Sequence, residues 1–239
     1  MGTPLTIACF LWQRNTTGFQ LPSKVDYGPE HVRRLGNGLK RHLSIPHNFV
    51  CITDQVEAVQ AVGVATIPLW DKCRYLGGCF NRLYTFSSDM RDTLGERFAC
   101  IDIDAVVVSD VTHLFTRSED FLINRYIPSP KGDQAPEQGY NGGLYMMDAG
   151  ARSVVWDTFD PVSSPLSIEA AAGRVVGTDQ AWARMVLGPN EATWGPEDGV
   201  YEARSIGHKP LPDNACLVFF AGRRDPSVCG HKWVRENWL

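Results

Sequence analysis

The feature that most restricts the fold is a strongly apolar segment with two aspartates inside it. Residues 96–108 read ERFACIDIDAVVV and form the strongest strand pattern in the chain. Side chains alternate in a strand, so we predict that Asp102 and Asp104 point to one side and Ile101 and Ile103 to the other. Two like charges in an apolar strand repel each other and are costly to desolvate, and a compensating partner would explain their presence.

A divalent cation is such a partner. Mg²⁺ and Mn²⁺ take one or two protein carboxylates together with phosphate oxygens. Ligands of open α/β sheets bind at the carboxyl ends of strands, where this pair is expected. We therefore predict a Mn²⁺ or Mg²⁺ site at Asp102 and Asp104. For an isolated D-x-D, a solvated strand end with turn-forming aspartates is about equally frequent.

The order of the other periodic segments predicts an α/β fold. Strands are expected at 5–12, 48–53, 64–69, 121–126, 142–150 and 215–222, and helices from Pro29 to about Pro46 and at 80–94, 151–159 and 177–188, the last capped by Thr178. A loop followed by a helix is expected over 163–177. This order predicts one domain over 1–239, with a mostly parallel central sheet, flanking helices and a mixed second half. We assign 1–115 to nucleotide binding and 116–239 to the sugar and the acceptor.

Composition excludes some classes of function. The net charge of −4 over 239 residues argues against a general nucleic-acid binder, but a small phosphorylated ligand remains compatible. The sequence has no apolar run of 18 residues, so no membrane span is expected, and its first residues do not resemble a secretory leader. The seven cysteines fit a reducing cytoplasm, and loose thiols are favoured over a zinc site at Cys229 and His231.

A series of short motifs accompanies the two aspartates in a specific order. In chain order they are Trp12, Tyr27-Gly28-Pro29-Glu30, His42-Leu43, Pro46-His47, Phe49-Val50-Cys51, Thr53-Asp54, Phe80-Asn81-Arg82-Leu83, Asp102-x-Asp104, Val107-Val108, Asp110-Val111, Leu114-Phe115, the run from Tyr140 to Gly150, Asp179-Gln180, the run from Phe219 to Arg223, Trp233-Val234 and Asn237-Trp238. Over almost the whole chain, this set resembles the A-type (GT-A) glycosyltransferases. It is most similar to the small bacterial and phage relatives of the glycogenin and lipopolysaccharide glucosyl/galactosyltransferase family.

The resemblance implies transfer of a hexose from a nucleotide sugar, most often a UDP-sugar, to an unknown acceptor. It also implies a divalent metal and retention of the anomeric configuration. The implied residues fall into four groups: metal ligands Asp102 and Asp104; nucleotide-binding residues Trp12, Tyr27, Asp54, Arg82 and Asp102; catalytic residues Asp179, Asn141 and Gln180; and the sugar-binding glycines Gly142 and Gly143.

Each of these residues also has an ordinary structural interpretation. Tyr27 precedes a helix, and Asp54 follows a strand as loop residues do. Arg82 is compatible with a solvated helix charge. Asn141 begins a sequence typical of turns, and Asp179 suits the first turn of a helix.

The motif from Phe219 to Arg223 departs from the family pattern. Relatives carry a histidine as third metal ligand three residues before, or directly before, the glycine at Gly222, where this chain has Phe219 and Ala221. A lysine found in many members is replaced by Asp225. The candidate substitutes are His208, His231, Arg223 and Arg224.

Two other functions therefore remain open. One is a sugar-phosphate nucleotidyltransferase, which is disfavoured because the first strand leads into QRNTTGFQLPS and not into a Gly-rich phosphate loop. The other is a catalytically inactive protein that binds sugar nucleotides or serves as a scaffold.

Overall fold

The computed structural model describes residues 3–13, 26–73, 75–127, 139–172, 178–220 and 224–239. The strands in these ranges are β1 Leu5–Leu11, β2 His47–Thr53, β3 Ala65–Pro68, β4 Arg97–Ile101, β5 Ala105–Val107, β6 Phe121–Arg125, β7 Tyr140–Asp148, β8 Ala192–Trp194, β9 Val200–Glu202 and β10 Leu217–Phe219. The α-helices are α1 Pro29–His42, α2 Val56–Ala61, α3 Met90–Leu94, α4 Thr112–Phe115, α5 Val154–Asp157, α6 Ser163–Ala172, α7 Asp179–Leu187, α8 Ala203–Ile206 and α9 Lys232–Asn237. Short 3₁₀ helices lie at Asp71–Cys73, Phe80–Phe86, Pro196–Asp198 and Pro226–Val228.

The strands form two sheets. The larger sheet has seven strands in the order β3-β2-β1-β4-β7-β6-β8. Strands β1 to β4 and the β6–β8 pair are parallel, whereas β7 runs antiparallel to both β4 and β6. The smaller sheet has the order β5-β10-β9. The α/β class is thus confirmed, with a mixed sheet in which strands from before and after residue 115 pair directly.

Two hydrophobic cores lie against the faces of the larger sheet because alternate residues of its strands point to opposite sides. From β1, Ile7 and Cys9 enter one core and Ala8 and Phe10 the other. Helix α1 begins with Pro29 at its first turn and buries Val32, Leu35 and Leu39 at helical spacing. No helix among the described residues is long and apolar enough to cross a membrane.

The predicted single strand over 96–108 is wrong. Strand β4 ends at Ile101, and the Asp102 carbonyl then accepts a hydrogen bond from the Ala105 N–H at 3.1 Å, which closes a turn. The chain resumes as β5, which pairs with β10 in the smaller sheet. The two aspartates therefore occupy a turn between two sheets.

The single helix predicted over 80–94 is also wrong. It is a 3₁₀ helix followed by α3, with an extended backbone at Ser87 between them. The Ser87 hydroxyl accepts from the Asp89 N–H at 3.2 Å, a local bond of the kind that competes with helix continuation.

Other predicted elements are shorter than expected. The helix over 151–159 is limited to α5, and the strand over 215–222 to β10, with 221–223 outside the described residues. Helix α7 begins directly after Thr178 as predicted, but the Thr178 side chain makes no capping hydrogen bond. The 163–177 segment is helical in α6, and 173–177 lie outside the described residues.

Candidate functional site

A cavity of about 420 Å³ opens at one edge of the larger sheet. Strands β1 and β4 are parallel and end at this edge, and the antiparallel β7 begins there. The walls of the cavity include Trp12 after β1, Asp102 and Asp104 after β4, and Asn141 at the start of β7. The volume lies in the range typical of small-molecule sites. The topology thus brings together residues that are far apart in sequence.

The two aspartates both line this cavity, although they do not share a strand. The Asp102 N–H donates to the Gly143 carbonyl at 2.8 Å, which ties the turn to β7. The predicted proximity of the two carboxylates is therefore achieved by a turn, and not by the alternation of strand side chains.

Asp104 is buried and incompletely hydrogen-bonded. The Tyr27 hydroxyl donates to its Oδ2 at 2.9 Å, while Oδ1 has no hydrogen-bond partner among the described residues. Burial, together with the nearby charge of Asp102, raises the pKa of Asp104 to about 7. A buried carboxylate oxygen without a partner is energetically unfavourable unless a cation or another donor reaches it.

Arg82 lies between two carboxylates. Its Nη1 forms an ion pair with Asp102 and donates to the Gly142 carbonyl at 3.2 Å, and its Nε lies 3.1 Å from Asp179 Oδ2. Its side chain is 11% exposed, which rules out the interpretation as a solvated charge. Burial alone would lower the pKa of Arg82, but the charges of Asp102 and Asp179 outweigh it and raise that pKa well above the usual value.

Asp179 lies behind Arg82 and is not among the residues that line the cavity. Its carboxylate is buried, and this burial raises its pKa, against the opposing effect of the Arg82 charge. The sequence resemblance implies that Asp179 faces a donor sugar, whereas here it orients the arginine that reaches the cavity.

Asn141 and Gln180 hold the backbone of the cavity wall. The Asn141 Oδ1 accepts from the Gly143 N–H at 2.7 Å, and the Gln180 Oε1 accepts from the Gly142 N–H at 3.0 Å. Asn141 and Gln180 line the cavity themselves. These side chains therefore fix the position of the two glycines that the sequence analysis assigned to sugar binding.

Gly143 has no room for a side chain, and Gly143→Ala is expected to destabilise the protein by about 1–3 kcal/mol through overpacking. An added Cβ would lie 2.9 Å from Asn141 Oδ1, 3.1 Å from Asp102 Oδ2 and 3.2 Å from Phe219 Cδ1. Chemical denaturation measures the effect. Gly230→Ala is the control, because apart from Gly230 and its two chain neighbours no described residue has an atom within 4 Å of the added Cβ. Equal stability of the two variants would contradict the close packing at Gly143.

Asp54 lies away from the two aspartates. Both of its carboxylate oxygens accept from the Gln13 N–H, at 3.1 and 3.0 Å, and it lines a separate depression of about 320 Å³. Trp12 lines this depression as well as the main cavity, so the two spaces are neighbours. Tyr27 lines the main cavity only.

The cavity residues that the sequence analysis did not assign to the site include Tyr126, Glu202 and Arg204. Glu202 is fully buried and accepts from the Asn141 Nδ2 at 2.9 Å. Its only signal in the sequence is a carboxylate directly after two apolar residues of a short strand. Such a pattern is too common to identify a site.

The motif from Phe219 to Arg223 provides no additional metal ligand among the described residues. Phe219 is buried in the core with its ring against Gly143, whereas Ala221 and Arg223 lie outside the described residues. Asp225 accepts from the Ser227 N–H at 2.7 Å, and its Oδ1 lies 3.3 Å from His31 Nε2. The described part of the chain contains no group of three or more His, Cys, Asp or Glu residues placed to hold a metal ion.

No protein-family model matches the chain, and no curated protein matches it significantly.

Proposed function

We propose that the protein is a metal-dependent glycosyltransferase that moves a hexose from a nucleotide sugar, a UDP-sugar, to an acceptor. The observation that carries this proposal is the turn at the end of β4. It places Asp102 and Asp104 on one cavity wall, and none of the described residues gives the buried Asp104 Oδ1 a hydrogen-bond partner. A divalent cation bound to a diphosphate would satisfy that oxygen and offset the repulsion between the carboxylates.

The donor set fits Mn²⁺ or Mg²⁺ held jointly by protein and substrate. Asp102 and Asp104 would hold the ion, and the remaining ligands would be phosphate oxygens and water, as is common for Mg²⁺. When bound, the metal supplies Lewis-acid stabilisation of the charge on the departing diphosphate.

The chain's own residues would orient the donor. The ion pair with Arg82 fixes the position of Asp102 at the cavity wall, where its carboxylate would bind the cation. The aromatic rings of Trp12 and Tyr27 offer faces for the nucleoside at the cavity wall. Asp54, in the neighbouring depression, would accept hydrogen bonds from the base or the ribose.

Asn141, Gly142, Gly143 and Gln180 would place the sugar. The hydrogen bonds from the Gly142 and Gly143 N–H groups to Gln180 and Asn141 hold this wall in place before substrate arrives. A preorganised wall contributes to catalysis because little reorganisation is needed during the reaction.

Retention of the anomeric configuration is part of the proposal. So is a cytoplasmic location, which the seven free cysteines support.

UDP is expected to raise the melting temperature only in the presence of Mn²⁺ or Mg²⁺. A ligand that binds only the folded state stabilises it by about 2.7 kcal/mol at 100 times its Kd. Differential scanning fluorimetry with UDP, GDP and dTDP, each with Mn²⁺ or EDTA, measures this. Strong stabilisation by GDP or dTDP without an effect of UDP would contradict the assigned donor.

A non-catalytic sugar-nucleotide-binding protein is the second candidate, and the burial of Phe219 favours it. The resemblance places a metal-binding histidine at this position or at Ala221, whereas the Phe219 ring is packed in the core. Incubation with UDP-hexoses and Mn²⁺ separates the two functions. Release of UDP together with free or transferred hexose supports the enzyme, and binding without turnover supports the second candidate.

A further inference from the structure

A second polar cluster lines the cavity beside the aspartates. It consists of Asn141, Glu202 and Arg204, with Tyr126 next to them. The fully buried Glu202 accepts from the Asn141 Nδ2 at 2.9 Å and forms an ion pair with Arg204. Arg204 also donates to the Ile127 carbonyl at 3.0 Å, and its guanidinium lies 5.0 Å from the centre of the Tyr126 ring. These contacts hold three planar polar groups in a fixed arrangement: the amide of Asn141, the carboxylate of Glu202 and the guanidinium of Arg204.

The cluster lies next to the proposed diphosphate site. Asn141 Oδ1 accepts from the Gly143 N–H, and the Gly143 carbonyl accepts from the Asp102 N–H. Glu202 therefore follows Asp102 along the wall with only Gly143 and Asn141 between them. A group attached to a diphosphate at Asp102 and Asp104 would therefore lie beside this cluster.

The charges of the cluster are already balanced. Among the described residues that line the cavity, the two arginines are Arg82, which is paired with Asp102 and Asp179, and Arg204, which is paired with Glu202. An additional carboxylate on a ligand would be buried against Glu202 without a cation of its own, which is unfavourable. A hydroxyl both donates and accepts, so it can donate to Glu202 and accept from Arg204 or Asn141.

We propose that Asn141, Glu202 and Arg204 form a subsite for the hydroxyls of a neutral hexose and discriminate against a uronic acid on the same nucleotide. This inference rests on the proposed function, since it specifies the sugar of the donor. The fixed arrangement gives this discrimination a structural basis, because paired and buried groups have little freedom to rearrange around a new charge.

Isothermal titration with matched donors tests the inference. UDP-glucose is compared with UDP-glucuronate, and UDP-galactose with UDP-galacturonate, all with Mn²⁺, so that each pair differs only at C6. We expect each neutral sugar to bind at least about tenfold more tightly than its acid. Equal or tighter binding of the acids overturns the inference and leaves the proposed function standing. If UDP and the UDP-sugars all fail to bind in the presence of Mn²⁺, both the proposed function and this inference are overturned.

The double variant Glu202→Gln/Arg204→Met assigns the discrimination to these residues. It removes both charges together, so no buried charge is left unpaired, and we expect the preference to fall below about threefold. UDP, which lacks the sugar, reports whether the nucleotide part of the site is intact. Glu197→Gln/Arg125→Met is the matched control, because it makes the same changes in an exposed ion pair that does not line the cavity.

An unchanged preference in the folded double variant would overturn the assignment. Should the double variant fail to fold, Arg204→Lys provides the alternative, since it keeps the positive charge but removes the planar fork. We then expect at least about a threefold loss of preference, and an unchanged preference would again overturn the assignment.

Discussion

Arg82→Met is expected to lower the free energy of unfolding by about 3–5 kcal/mol, the range for breaking a buried ion pair by removing one partner. Arg82 compensates two carboxylates, Asp102 and Asp179, and donates to the Gly142 carbonyl. Without the guanidinium, the buried Asp179 loses the only ion-pair partner that the described residues give it. Urea denaturation at pH 7.5 measures the change.

Asp179→Asn in the Arg82→Met background is expected to recover part of the lost stability, because it removes the uncompensated charge. Arg33→Met is the control, since the Arg33–Glu30 pair is exposed, and its effect should stay within about 0.5 kcal/mol. If adding Asp179→Asn to Arg82→Met lowered the free energy of unfolding further, Arg82 and Asp179 would not form the coupled pair described above.

Asp104→Asn is expected to abolish metal-dependent UDP binding, a loss of at least about 100-fold in affinity. The substitution removes the carboxylate whose Oδ1 has no hydrogen-bond partner in the described part of the chain. Asparagine keeps the shape of the side chain and an oxygen that accepts from the Tyr27 hydroxyl, so the fold should persist. Titration with UDP in the presence of Mn²⁺ measures the loss, and retained binding would contradict the metal site.

The same variant is expected to be more stable than the wild-type protein at neutral and alkaline pH when metal is absent. The pKa of Asp104 is about 7 in the folded protein, against about 3.9 for an unperturbed aspartate. Between these values the folded state holds more protons than the unfolded state, so stability falls as the pH rises and levels off above pH 7. The three-unit difference sets an upper bound of about 4 kcal/mol on this loss.

Denaturation in EDTA at pH 5 and pH 8 measures the effect. The gain from Asp104→Asn should be small at pH 5 and larger at pH 8, whereas Asp213→Asn, an exposed control, should show no such difference. A variant that is destabilised equally at both values would indicate that Asp104 is held by hydrogen bonds, as a structural residue would be.

The sequence predicted the sheet better than the turns. The apolar runs that became β1, β2 and β4 were found because burial on both faces leaves a continuous hydrophobic pattern. The break after Ile101 was missed because Ala105 to Val107 are as apolar as the strand before them. Only their pairing with β10 shows that they belong to a second sheet.

The candidate site was predicted in part for the same reason. Asp102, Asp104 and Arg82 belong to segments with recognisable local patterns, and the structure brings them to one cavity. Glu202 and Arg204 reach it through the short strand β9 and the start of α8. Strand β9 is positioned by pairing with β10, which in turn pairs with the distant strand β5. Such placement is a property of tertiary structure and leaves no periodic signal in the sequence.

The turn between the two sheets determines when the two aspartates can be positioned during synthesis of the protein. Asp104 is directly followed by β5, whose residues pair with Leu217 to Phe219, more than 100 positions later in the chain. Closing so long a loop is slow and is opposed by chain entropy. While the chain emerges from the ribosome, β1 to β4 can pair long before β10 is synthesised, so the aspartates reach their final arrangement only after β10 has emerged.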